Sequence, residues 1–212
     1  MDQNVFEKEF AIESLKSDRL RVTILMGAII SSVAILLLMT VLFFDQFQAT
    51  FRGNAWSFLF AAIVLFSVNI CYLLAERILL GRLIKKQMRP WPALKYVSAF
   101  VETTIPTAGI IIGSFFLGPI YTLFTPAAFI YPLFISLSAL RLNVRLCVFT
   151  GAVAGLEYLL LSFYYLQQAA GAPLDPSLTA FPQHLFKAFL LFLTGVVTGL
   201  VTLQIRKRIR NS

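Results

Sequence analysis

Two carboxylates, Glu102 and Glu157, stand inside stretches that are otherwise apolar. An acid in hydrocarbon is costly unless it faces protein or water. Each therefore marks either a working group (a proton relay, a cation site, a ligand contact) or a structural acid that pins helix packing. Glu102 lies in Val97 to Tyr121, where Glu102, Pro106, Gly109 and Gly113 follow at steps of four, three and four. On one helix these four share a face, and two glycines four apart let another helix approach closely. Acid and packing stripe thus point together toward the middle of a bundle. Glu102 enters about six residues from one border, roughly 9 Å deep at 1.5 Å per residue. Asn69 sits at similar depth in the preceding apolar run. It can hydrogen-bond Glu102 if the two spans are neighbours, or act as plain interhelical glue. Glu157 lies about eleven residues into its own run, near the midplane, off the face of Gly151 and Gly155. Thr103, Thr104, Tyr158, Ser162, Tyr164 and Tyr165 supply further polar groups near these acids.

The sequence holds no GxSxG, no P-loop, no HExxH and no Asp/Glu/His cluster spaced for a metal. No catalytic residue, metal ligand or cofactor site is expected in this chain. Cys71 and Cys147 fall in apolar runs without a CxxC or a paired His, which argues against a disulfide scaffold or a zinc site. His184 stands alone at an apolar border and reads as an interfacial residue.

The elements that must position these groups are membrane helices. The 212 residues are 58% hydrophobic and only 13% charged, more apolar than a soluble domain of this size requires. Six spans follow, at about Val22 to Phe44, Trp56 to Glu76, Val97 to Leu117, Tyr121 to Leu140, Leu146 to Gln167 and His184 to Gln204. The fold class is an all-α six-helix membrane bundle. The net charge of +8 would suggest nucleic acid in a soluble protein. Here 16 of the 18 Lys and Arg residues lie on one side of the spans, with Arg52 and Lys187 on the other. That asymmetry is the positive-inside pattern, so both termini are expected in the cytoplasm and no nucleic-acid partner is expected.

The connections are short. Residues 1–21 form a polar leader whose Phe6, Phe10, Ile12 and Leu15 would suit an amphipathic helix on the membrane surface, or simply a solvated approach to the first span. Arg77 to Lys95 is the longest basic segment, broken at Pro90-Trp91-Pro92, with Trp91 placed as an interfacial anchor. Gly118-Pro119 turns the third span directly into the fourth, which contains Pro126 and Pro132. Arg141 to Arg145 is a tight basic turn. Gln168 to Gln183 is a loop without basic bias, and residues 205–212 are a basic tail in which Ile205 and Ile209 allow the helix to continue.

Three GxxxG patterns occur: Gly109 with Gly113, Gly151 with Gly155, and Gly195 with Gly199. The last, with Thr194, Thr198 and Thr202, forms a narrow small-residue ridge, which reads equally as a homodimer face and as ordinary packing within one bundle.

The six-span plan ending in a basic helix resembles the membrane region of bacterial class III adenylate/guanylate cyclases. Local stretches carry the resemblance: Phe100-Val101-Glu102-Thr103-Thr104-Ile105-Pro106, then Gly118-Pro119-Ile120-Tyr121, and Arg141 to Gly151 leading to Glu157-Tyr158. It spans about Lys95 to Arg210. It implies a multi-pass protein of the bacterial plasma membrane, working as a homodimer, with a cyclase domain joined after Ser212. The chain itself would then be an anchor, dimeriser and receptor for a small or lipophilic ligand, with span six passing the signal on. The competing expectation is a small proton- or cation-coupled transporter that uses Glu102 and Glu157 along a path.

Overall fold

The structure, a computed structural model, describes the backbone of residues 3–51, 53–86, 92–169 and 178–211, and the side chains of 12–51, 53–86, 93–169 and 178–208. The side chains of Phe6 and Phe10, the Pro90-Trp91 break, the Pro173 to Pro176 part of the loop and Ile209 lie outside these residues.

Among the described residues eight α-helices follow in order: α1 Gln3–Leu42, α2 Phe44–Thr50, α3 Ala55–Lys86, α4 Pro92–Leu117, α5 Pro119–Thr122, α6 Pro126–Leu137, α7 Val144–Gln168 and α8 Phe181–Asn211. Six segments are long and apolar enough to cross a membrane: Ile12–Leu42, Ala55–Lys86, Ala93–Leu117, Pro119–Arg141, Val144–Gln168 and Phe181–Arg208. The expected spans are all present, and three of them run on. Span one begins within the leader, span two continues ten residues past Glu76, and span six continues through the basic tail. Hydropathy ends where charges begin, but Lys, Arg and Glu are good helix formers, so the backbone does not stop there.

The leader is accordingly not a separate helix on the membrane surface. Residues 12–21 are the first turns of span one, and Leu15, Asp18 and Arg21 are buried against the bundle. Ser17 Oγ donates to the Leu140 carbonyl at 2.6 Å, fastening this end of α1 to the end of span four.

Span four is bent by its sequence. Gly118 has φ +89°, a conformation L side chains rarely adopt, and it places Pro119 at the start of α5. Pro126 then restarts the helix as α6, and a 3-10 turn at Ser138–Arg141 closes the span. Leu142 takes a left-handed conformation, and Asn143 Oδ1 accepts from Arg145 N at 3.0 Å to cap α7.

The surface is apolar and much of the interior is polar, as a bilayer demands. Phe115, Phe129 and Phe60 are each more than 70% exposed, while Asn69, Thr103, Thr150, Ser162 and Thr202 are buried. Two apolar cores flank these groups. One holds Leu15, Val22, Leu25, Leu73 and Leu80, where α1 meets α3. The other holds Ile110, Ile120, Leu123, Tyr131, Ile135 and Leu191, among α4 to α8.

Glycine sets the closest helix pair. A Cβ on Gly151 would lie 2.7 Å from Gly195 Cα, one on Gly195 would lie 2.8 Å from the Cys147 carbonyl oxygen, and one on Gly155 would lie 2.8 Å from the Ala188 carbonyl oxygen. Gly199 continues the same seam toward the start of α7. A Cβ on Gly199 would lie 3.2 Å from Val144 Cγ1, 3.4 Å from the Val144 carbonyl oxygen and 3.5 Å from Val148 Cγ2. Gly199 and Thr198 are both buried within the one chain. The reading of Gly195, Thr198 and Gly199 as a homodimer face is therefore corrected. α7 of the same chain covers this ridge, because Gly151 answers Gly195 and Val144 fills the space over Gly199. It is an intramolecular seam, not a free face for a second copy. Gly113 similarly faces Thr122, with a Cβ position 2.7 Å from its Cγ2, and Gly109 faces Ala127.

Candidate functional site

Glu102 is at the centre of a buried ionic network at the end of the bundle that holds the two chain termini. Its Oε2 accepts from Arg21 Nη1 and, at 3.1 Å, from Arg141 Nη2. Its Oε1 lies 3.1 Å from Ser98 Oγ, one turn back on α4. Arg21 Nη2 also reaches Glu76 Oε1 at 3.2 Å, and Ser98 Oγ lies 2.6 Å from the same oxygen. Arg141 Nη1 donates to the Lys95 carbonyl at 2.6 Å, while Lys95 Nζ pairs with Asp18 Oδ2 at 3.3 Å and donates to Ser14 Oγ at 2.9 Å. Three acids (Asp18, Glu76, Glu102) thus meet three bases (Arg21, Lys95, Arg141), drawn from α1, α3, α4 and the end of span four. Arg21 and Arg141 are each 2% exposed and Glu102 4%. Asp18 Oδ1 and Arg21 Nε stand 3.9 Å apart, and neither has a hydrogen-bond partner; Glu76 Oε2 is also unpartnered.

The local sequence explains why these groups converge. Ser98 and Glu102 are four apart on α4, with Lys95 a turn earlier, so all three share a face. Asp18 and Arg21 are three apart on α1. Arg141 ends the 3-10 turn, and the left-handed Leu142 then turns the chain into α7.

A second polar line runs through the other half of the bundle. Glu157 Oε1 accepts from Thr104 Oγ1 at 2.7 Å, and Oε2 accepts from Thr107 Oγ1. The Thr107 hydroxyl lies 2.5 Å from Tyr131 OH. With Thr107 donating to the acid, Tyr131 donates to Thr107. The Tyr131 ring packs edge-on against Tyr158, whose OH lies 3.0 Å from His184 Nδ1; His184 Nε2 lies 3.2 Å from the Leu178 carbonyl oxygen. Among the described residues no cation is ion-paired to Glu157. Ser162 Oγ, one turn along α7 from Tyr158, is buried without a partner.

The sequence-derived residues fare differently. Asn69 is buried, but its Nδ2 donates to the Leu65 carbonyl of its own helix at 3.0 Å and not to Glu102. Glu76, two turns further along α3, takes that place, sharing Arg21 and Ser98 with Glu102. Thr103 donates to the Ala99 carbonyl at 2.7 Å, again within its own helix, so it joins neither acid. Thr104 and Tyr158 do belong to the second line. His184 is fully buried and bonded to Tyr158, not interfacial, because its face of α8 turns toward α7. Sequence reasoning misses Arg21, Glu76, Ser98 and Arg141 as site residues. The available signal is electrostatic: a carboxylate inside a span calls for a cation, and basic residues at the span borders are at hand.

Among the described residues no group of three or more His, Cys, Asp and Glu side chains could hold a metal ion. Chemically, the first network can lock or release four elements by exchanging ion pairs. The second can bind a proton at Glu157 or at His184, two hydrogen-bonded groups that meet where the Tyr131 and Tyr158 rings pack edge-on.

No protein-family model, no curated protein and no solved structure matches this chain.

Proposed function

We propose that this chain is the membrane module of a signalling protein in the bacterial plasma membrane, with both termini cytoplasmic. By resemblance, we take it to be the membrane region of a class III nucleotide cyclase. The observation that carries the proposal is α8: one unbroken helix runs from the buried His184 through Arg206 to Arg208 and on to Asn211. A rod seated by glycines along α7 moves as a unit, so a ligand near His184 that favours one seating over another changes the position of the basic end. The ionic network ties α1, α3, α4 and span four into the frame against which α8 moves. Because the ridge of Gly195 and Gly199 is taken by α7, pairing of two copies uses another face.

The test is nucleotide cyclase activity in membranes from cells expressing the whole reading frame in which these residues lie. It is compared with its Glu102→Ala variant and with residues 1–212 alone. Cyclase activity in the whole frame, altered severalfold by Glu102→Ala and absent from residues 1–212, is the expected result. Absence of activity from the whole frame overturns the cyclase assignment.

Glu157, lined by the Thr104 and Thr107 hydroxyls and paired with no cation among the described residues, favours a second reading, a proton-coupled carrier. On that reading, liposomes holding residues 1–212 dissipate a pH gradient, and Glu157→Gln abolishes the flux while leaving the protein folded.

A further inference from the structure

A groove of about 490 Å³ opens on the outer surface where α1 and α3 meet, at the end of the bundle that carries the ionic network. Four cations rim it: Arg19 from α1, and Arg77, Arg82 and Lys85 from α3. No acid is paired with any of them among the described residues. Its floor is apolar, with Leu74 and Ile78 respectively 40% and 56% exposed, and Gly81 leaves a notch in which a Cβ would meet nothing within 4 Å.

The α3 stripe is written in the sequence. Residues 74, 77, 78, 81, 82 and 85 repeat at steps of three, one, three, one and three, which is a single helix face. The acids next to these bases point the other way. Asp18 precedes Arg19 and Glu76 precedes Arg77, yet both acids are turned into the ionic network, where Arg21 and Lys95 meet them. Base is thus separated from acid within neighbouring residues, leaving a positive rim over an apolar floor at the border of the membrane-spanning region. Basic grooves between membrane helices bind acidic headgroups, and an open lipid-facing floor suits an acyl chain.

We infer that this groove binds one anionic phospholipid, its phosphate held by the cationic rim and an acyl chain laid along Leu74 and Ile78 past Gly81. A soluble phosphate would use the rim but gain nothing from the exposed floor. The inference stands independently of the signalling proposal.

The experiment is native mass spectrometry of the purified full chain with phosphatidylglycerol or phosphatidylcholine, with glycerol 3-phosphate as competitor. A phosphatidylglycerol adduct retained at least about a hundredfold more strongly than phosphatidylcholine is expected, at roughly fivefold per cation near an acidic lipid. The triple variant Arg77→Gln/Arg82→Gln/Lys85→Gln then loses roughly a hundredfold. Gly81→Leu changes no charge, raises helix propensity and fills the notch; it also loses the adduct while its unfolding temperature in phosphatidylcholine micelles holds or rises. Should the triple variant fail to fold, Gly81→Leu and Arg19→Gln decide. Equal retention of the two lipids, unchanged retention in Gly81→Leu, or displacement by glycerol 3-phosphate would each overturn the inference.

Discussion

The two buried acids of this bundle meet opposite fates. Glu102 is met by two guanidiniums and set in a group of three acids and three bases, so its charge is matched within the protein. Glu157 is met by two threonine hydroxyls and, through one of them, a tyrosine. The difference arises from depth. Near the border the ends of α1, α3 and span four carry bases that can fold inward; at Glu157 the partners among the described residues are the Thr104 and Thr107 hydroxyls. A matched set resists losing any member, because the remaining charge is stranded in a low dielectric. A hydroxyl-lined acid tolerates neutralisation and so suits a group that gains and loses a proton.

The same substitution at both acids tests that contrast most directly. Glu102→Gln leaves Arg21 and Arg141 buried with too little negative charge and is expected to cost about 3–5 kcal/mol. Glu157→Gln keeps an oxygen to accept from a threonine and is expected to cost about 1 kcal/mol or less. Unfolding in a mild detergent, followed by helix signal against denaturant, compares the two. Equal losses would remove the distinction between a matched and a hydroxyl-lined acid.

An intermediate effect is expected where α7 meets α8. Cys147 Sγ lies 3.4 Å from Thr202 Oγ1 across this seam, so Thr202→Cys should form a disulfide with Cys147 on mild oxidation. Adding Gly195→Leu places side-chain atoms where Gly151 Cα and the Cys147 carbonyl now stand. That second substitution should cut the crosslinking yield by more than half and cost about 1–3 kcal/mol. Undiminished crosslinking would show that the seam re-forms without its glycines.

The smallest effect is assigned to Asn69. Its amide bonds to its own helix, so Asn69→Ala should cost less than the average of about 0.6 kcal/mol for a polar contact between membrane helices. A loss as large as that of Glu102→Gln would return Asn69 to the ionic network.

The six spans were legible because length and hydropathy decide whether a helix can cross a bilayer, and each apolar run meets that requirement. The Glu102 stripe was legible too, since Pro106, Gly109 and Gly113 follow it along α4 and Gly113 does face another element. The partner of the ridge at Gly195 and Gly199 was not, because small residues announce a close approach without saying which helix makes it. Nor was the network around Glu102. Arg21 and Arg141 read as border charges because a count by side registers which end of a span a base occupies, not which way it faces. Glu76 reads as the end of span two because hydropathy falls there, although α3 continues to Lys86. His184 is misplaced for a related reason: position along α8 puts it at the border, and the rotation of α8 against α7 puts it inside.

The ionic network has a consequence for biosynthesis. Its members leave the ribosome far apart in time: Glu102 follows Arg21 by 81 residues, and Arg141 follows Glu102 by a further 39. At about 5–20 residues per second, the first of those intervals alone lasts roughly 4–16 seconds. Within it Glu76 emerges 55 residues after Arg21, and Lys95, the partner of Asp18, follows before Glu102; until Glu76 arrives, Asp18 and Arg21 have no partner from the chain but each other. The first span therefore acquires its ionic partners in steps, Glu76 with the second span and then Lys95 and Glu102 with the third. The fourth span closes the set last: Arg141 completes the charge balance at Glu102, and the Leu140 carbonyl takes the Ser17 hydroxyl.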